Sequence, residues 1–363
     1  MRRRLLILCL LAVASPAAAD EFSPFLDLGG LPHGDLGAAA EILRETLANT
    51  EGLDYLGSAP FAGPDLVRGN PEQRDGRRGL LLMLEDRALS AILLAIDPRY
   101  YLGALLRVGL YQTTDGTLRI TCLDPETHLR VIANDLKCDE TYAELAAAGA
   151  AARERLAGAV RKGLSLTEAL VPVGPIRDVK RMREGKMDMF LMVGPLTYYR
   201  KESQFPVLHA EPLGEDPVAQ LRVLADRITS SLAAFSAGAD ELNYCWSMDP
   251  AADTSWRELT RQEAPGKAIL LGLSRPRAEA LAAQIVGRNR DNGQDRSPGL
   301  DHLCAFPIEV LICVNDDRVE LRTARQMFRM DLFFWDAGKE ALMKYAQIPA
   351  MLDKSLKKAL LGK

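Results

Sequence analysis

Leu53-Asp54-Tyr55-Leu56-Gly57-Ser58 returns as Leu242-Asn243-Tyr244-Cys245-Trp246-Ser247, 189 residues further along the chain. At the same offset Arg78-Gly79-Leu80-Leu81-Leu82-Met83-Leu84 matches Lys267-Ala268-Ile269-Leu270-Leu271-Gly272-Leu273. A third pair, Val108-Gly109-Leu110-Tyr111 and Val310-Leu311-Ile312-Cys313, is displaced by 202, which places about 13 inserted residues between the second and third anchors. Self-similarity at one long interval signals a structural unit present twice. The chain therefore reads as two tandem units, 20–165 and 206–363, joined by a connector at 166–205.

Within each unit the same order of signals recurs. Asp35 precedes Leu36, Ala39, Ala40, Leu43 and Leu47 at helical spacing, and Asp216-Pro217 precedes Val218, Leu221, Leu224, Ile228 and Leu232. A capping aspartate, followed in the second case by proline, is a helix start. Gly79 to Leu84 is a short continuous apolar run, as a buried strand requires, and Glu85 to Ile96 follows as a helix ended by Asp97-Pro98. Leu105 to Gln112 and Thr117 to Cys122 flank Thr113-Thr114-Asp115-Gly116, where Asp-Gly supplies the positive φ of a tight hairpin. The second unit repeats this as Pro307 to Val314, Asn315-Asp316-Asp317 and Val319 to Thr323. Each unit closes on helices: Asp124-Pro125 and the Ala-rich Thr141 to Lys162 in the first, Lys339 to Leu361 in the second. The 288–299 stretch, polar and Gly-containing, reads as an inserted surface loop.

The strand Leu105-Leu106-Arg107-Val108-Gly109-Leu110-Tyr111, leading into Asp115-Gly116 and Asp124-Pro125, resembles the domain-of-unknown-function 302 family, and Phe306-Pro307-Ile308-Glu309-Val310 resembles a second, more diverged copy. The first copy lacks the Pro and Cys of the family's strand, and the second has Ile308-Glu309 where Cys-Arg would stand. The resemblance implies an α+β fold of two tandem helix-on-antiparallel-sheet domains, similar to the TATA-box-binding-protein-like fold. It implies no activity, cofactor or catalytic residue.

Arg2-Arg3-Arg4, the apolar run Leu5 to Ala14 and Ala17-Ala18-Ala19 before Asp20 form the three parts of a secretory signal peptide over residues 1–19, too short in its apolar part to span a bilayer. The expected location is outside the cytoplasm, in a bacterial periplasm, with no transmembrane anchor. The chain has 45 Lys and Arg against 49 Asp and Glu, a net charge of −4, and removal of 1–19 takes away three arginines and no acid to leave −7. That sign disfavours nucleic acid and anionic lipid surfaces, which are bound through excess cations.

Chemistry-bearing residues are few. His33, His128, His209 and His302 form no His-x-x-x-His pair, so no metal site is expected. His302-x-Cys304 is the one local pair with ligand chemistry, read here as lying along a strand and facing one way. Tyr55 with Tyr244, and Arg119 with Arg322, are matched across the repeat and stand with His302 and Cys304 as candidate ligand-binding residues; the competing reading is that they hold the fold. Cys122–Cys138 is the expected disulfide, against the alternative that the thiols are buried and inert. Met327 to Trp335 is aromatic-rich and fits either core or a docking patch. The leading expectation is a non-enzymatic exported protein that binds a small molecule or an exported partner protein. The rival is an enzyme or redox protein built on a cysteine such as Cys304 or Cys245. The cofactor is unknown on either reading.

Overall fold

Three aspartates start helices as their place in the sequence implies. Asp35 accepts from Ala38 N at 2.7 Å, Asp124 from Glu126 N and Thr127 N at 3.2 Å, and Asp216 from Ala219 N at 3.0 Å. These bonds satisfy amide groups that the first helical turn leaves unpaired. The computed structural model describes residues 21–61, 79–173 apart from 114, 135 and 137, 177–178, 182–183, 204–235, 255–283, 300–334 and 347–362. The signal peptide, the 63–78 loop, the connector run Met187 to Val193, Leu242 to Ser247 with Tyr244 and Cys245, and the 288–299 insertion lie outside the described residues.

The first half runs β1 (Glu21–Phe22), β2 (Phe25–Leu31), α1 (Leu36–Ala48), β3 (Leu53–Phe61), β4 (Gly79–Asp86), α2 (Arg87–Ile96), a 3-10 turn (Pro98–Gly103), β5 (Leu105–Gln112), β6 (Leu118–Leu123), α3 (Pro125–Ile132) and α4 (Asp139–Leu164). β7 (Val171–Val173) and β8 (Arg177–Asp178) follow. The second half repeats the order: β9 (Val207–Pro212), α5 (Pro217–Ala234), β10 (Arg257–Ala264), β11 (Ala268–Ser274), α6 (Pro276–Ala282), a 3-10 turn (Leu300–Ala305), β12 (Ile308–Asn315), β13 (Arg318–Thr323), α7 (Gln326–Phe334) and α8 (Ile348–Leu361).

Both large sheets are antiparallel and share one strand order. The first is β3-β4-β5-β6-β2-β7 and the second β10-β11-β12-β13-β9. Registers agree as well. Gly79 lies opposite Tyr111; Ala268, 189 residues beyond Gly79, lies opposite Cys313, 202 residues beyond Tyr111. Bulges fall at matching places too: Leu56 is skipped between Tyr55 and Gly57, and Leu259 between Glu258 and Thr260. Leu28 and Leu208 are skipped in the same way on β2 and β9. The protein is thus α+β, with one helix-and-antiparallel-sheet topology present twice.

Two expected equivalences are corrected by this register. The strand in the place of β3 is β10, not Leu242 to Ser247: Tyr55 faces Leu84, and Glu258 faces Leu273, the matched residue of β11. The counterpart of Tyr55 is therefore Glu258 and not Tyr244. Arg119 faces Tyr111, whereas Arg322 faces Leu311 and it is Glu320 that faces Cys313. The second hairpin turn is one residue shorter, so Arg119 corresponds to Glu320.

Helices cover one side of each sheet: α1 and α4 pack on the first, α5 on the second. Between the sheets the 3-10 turns are exchanged. Pro98–Gly103 packs on β11 and β12, and Leu300–Ala305 on β4, β5 and β6. Gly109 makes the second contact feasible, because a Cβ there would stand 2.5 Å from Leu303 Cδ1 and 3.0 Å from Cys304 Sγ. The aromatic segment around α7 is core rather than a docking patch, with Phe328 and Phe333 fully buried.

Candidate functional site

Arg107 and Glu309 meet at the centre of the seam between the halves. Each is a charged residue in a strand otherwise buried among apolar side chains, and both are almost wholly excluded from solvent. Arg107 Nη2 pairs with Glu309 Oε1, and Arg107 Nη1 donates to the Cys304 carbonyl at 3.1 Å. Arg329 takes the other Glu309 oxygen and donates to the Ala305 carbonyl, with its guanidinium 5.0 Å from the Phe333 ring centre. Arg107 sits opposite Met83, and Glu309 opposite Gly272, the matched residue of β11. They are the same position of the repeated fold, bearing opposite charges. His128 and Arg329 are likewise the fourth residues of α3 and α7.

The electrostatics mark this cluster as a tie rather than a reaction centre. Burial, with the Arg329 charge beside it, pushes the Arg107 guanidinium below its ordinary range. Burial first, then the Arg107 and Arg329 charges, hold the His128 imidazole well below its usual value, so it is neutral. Two guanidinium groups sharing one carboxylate consume each other's hydrogen-bonding capacity. A buried arrangement of this kind costs desolvation and gains geometric specificity.

The residues expected to bind ligand are placed as follows. His302 is buried between Phe25, at 5.8 Å edge-on, and Phe334, at 4.6 Å. Cys304 is buried with Sγ 3.8 Å from Thr121 Oγ1. Both lie in the 3-10 turn and not on a strand, so the expectation that they face one way is corrected: at about 120° per residue, positions two apart diverge. Arg119 pairs with Asp27. Arg322 pairs with Glu320 at 2.7 Å and donates to the Phe205 carbonyl at 2.7 Å. Tyr55 packs partly buried at the edge of the core, and Tyr244 lies outside the described residues. Apart from His302 and Cys304, which share a turn, these residues do not converge.

Cysteine chemistry is disfavoured by the same burial. The Cys304 and Cys313 thiols are each pushed up to about 12 by loss of solvent, and Cys122 is raised well above its ordinary value for the same reason. The expected Cys122–Cys138 disulfide is corrected as well. Cys122 points into the sheet core, while Cys138 is exposed at the start of α4, its thiol donating to Glu140 at 3.0 Å.

Open space is concentrated around α8. One narrow apolar cavity of about 60 Å³ lies between α6, α7 and α8, lined among others by Leu281, Phe306, Phe333 and Leu352. A second of about 300 Å³ lies between α8 and the β9–β13 edge, lined by Leu208, Thr323, Arg325, Lys354 and Lys357. A third of about 330 Å³ continues past Leu208 to His209, Leu224, Ile228, Leu321 and Leu360. The last two reach the size of small-molecule sites, while the first is well below it. A further cleft, between α1 and α4, is lined by polar and charged residues such as Glu45, Asn49 and Lys162. Among the described residues no group of three or more His, Cys, Asp or Glu is placed to hold a metal, and no helix is long and apolar enough to cross a membrane.

Fold and clefts together define an α+β protein of two like halves with ligand-sized space at one end. No protein-family model matches the chain, and no curated protein matches it. One solved structure, an uncharacterised conserved DUF302 protein from Bacillus stearothermophilus, is similar over 40% of this chain and 98% of its own, with 18% identity and a TM-score of 0.29.

Proposed function

We propose that this is an exported, non-enzymatic binding protein whose small-molecule ligand seats in the clefts along α8. The observation that carries the reading is the pair of clefts of about 300 and 330 Å³ that share Leu208, in a protein whose seam is closed by internal ion pairs. Apolar floors with a few polar groups on the rim are the usual character of ligand sites. Export rests on the residue 1–19 pattern, and the net charge of −4 argues against nucleic acid as a partner.

The test is native mass spectrometry of the protein purified from the exported fraction. Wild type is expected to carry a non-covalent small molecule that Leu208→Trp, which fills both clefts, does not. Retention by the filled variant, or an empty wild type that takes up no ligand, sinks the reading. Fractionation and N-terminal sequencing check export, with Asp20 expected as the first residue.

The rival, a cysteine enzyme, predicts a reactive thiolate. A thiol raised to about 12 is protonated at neutral pH, so Cys304 and Cys313 are expected to resist alkylation in the folded protein while exposed Cys138 is labelled. Peptide mapping after a short iodoacetamide pulse reads this directly. Rapid native labelling of Cys304 would restore the rival.

A further inference from the structure

We infer that the groove between α8 and β9 is built for a single-tailed anionic amphiphile, its carboxylate at the lysine end and its tail over the leucine floor. This deepens the reading of the clefts as ligand seats and rests on it. The two clefts line one side of β13, where Leu321 and Thr323 alternate onto the same face, and Leu208 forms the wall they share. Lining residues of α8 extend from Ala350 to Leu361, roughly 16 Å at about 1.5 Å per residue. A long, narrow groove of this kind suits an extended chain better than a ring.

Charge gives the groove a direction. At the end near Leu224 and Ile228, the Arg227 guanidinium lies 3.5 Å from Glu211 Oε2, and His209 Nε2 lies 3.3 Å from the same oxygen. That rim is balanced. At the other end Arg325, Lys354 and Lys357 line the cleft with one carboxylate, Asp353, which is engaged with the Gln326 amide at 3.0 Å. Three cations against one acid leave a local positive surplus in a chain whose net charge is −4. An anionic head is favoured there, because a charge-assisted bond to a lysine is stronger than a neutral one. The tail then removes the faces of Leu208, Leu224, Ile228 and Leu360 from water.

Isothermal titration with dodecanoate, and with dodecanol as the uncharged counterpart, tests the assignment on the mature protein. Dodecanoate is expected to bind one to one, and dodecanol at least about tenfold more weakly. Lys354→Glu with Lys357→Glu is expected to weaken dodecanoate by about tenfold or more, because the new charges repel the head. Both lysines are exposed, so this variant keeps its fold, which circular dichroism verifies. Leu208→Trp abolishes binding of either probe. If dodecanol matches dodecanoate, is indifferent to charge reversal and is lost in Leu208→Trp, the anionic assignment falls while the clefts remain ligand seats. If neither probe binds, both fall. Binding that survives Leu208→Trp overturns the location.

Discussion

Helices α4 and α8 hold the same place in their halves, each packed between the helix before it and the first helix of its unit. They are held there by different means. α4 approaches α3 so closely that a Cβ on Gly149 would stand 2.7 Å from the Glu126 Cα. Its buried face is rich in alanine, with Ala146, Ala148, Ala152, Ala157 and Ala159. Small residues let two helix backbones approach and leave little space between them. α8 is instead pinned at points. Ser355 Oγ accepts from Trp256 Nε1 at 3.0 Å and from Arg275 Nη1 at 2.9 Å, and Ser231 donates to the Ala359 carbonyl at 2.6 Å. Between these points lie the clefts. One topology thus carries a close-packed end and a ligand-sized end, and the difference lies in side-chain size along one helix.

The sharpest way to break the likeness of the halves is at the position where they meet. Glu309→Ala strands two buried guanidinium groups and is expected to cost about 3–5 kcal/mol, read as a fall in the urea midpoint. Arg107→Met, the replacement at the equivalent position, leaves Glu309 still paired to Arg329 and is expected to cost clearly less. Equal losses would show that the tie is not centred on Glu309.

A smaller effect separates the helices themselves. Gly149→Ala adds one methyl against backbone atoms and is expected to destabilise by about 1–3 kcal/mol, even though alanine favours helix by about 1 kcal/mol. Ala350→Leu adds more atoms on the side of α8 that faces a cleft, and is expected to change stability by no more than about 0.5 kcal/mol. If Ala350→Leu proves the more costly of the two, the contrast between the helices is wrong.

The mildest expected effect is one of pH. Burial raises the Asp353 carboxyl from 3.8 to about 6, against the opposing pull of the Gln326 amide and the Arg325 charge; Lys354 and Lys357 line the same cleft. A raised carboxyl disfavours the charged form in the folded state. The stability associated with it is therefore fully present below 3.8 and is lost as pH rises through about 6. Thermal melts of wild type should fall relative to Asp353→Asn across that window, since asparagine keeps the acceptor for Gln326 without titrating. A constant difference from pH 4 to 8 would show that Asp353 does not titrate there.

Much of the fold was legible because its signals are local. Aspartate caps, the Asp-Gly hairpin and short apolar runs fix elements through neighbours in sequence, and the 189 and 202 offsets reproduce the strand register. The weaker matches misled. Tyr55 with Tyr244 aligned by identity at one offset, whereas the strand that pairs with β11 begins at Arg257. Arg119 with Arg322 missed a turn shorter by one residue, which shifts every partner on β13. Arg107 and Glu309 carried a readable signal, opposite charges at matched positions of buried strands, that the search for familiar motifs passed over.

By itself the sequence determined which residues form helices and strands, their order, and the repetition of that order. These depend on periodicity, capping and turn chemistry within a few residues. Only the tertiary structure decided that Arg107 meets Glu309, that Cys304 is sealed against Thr121, and that space remains beside α8 but not between α3 and α4. Those outcomes depend on how surfaces far apart in the chain fit together, and the volume left between packed side chains is a property of the whole arrangement.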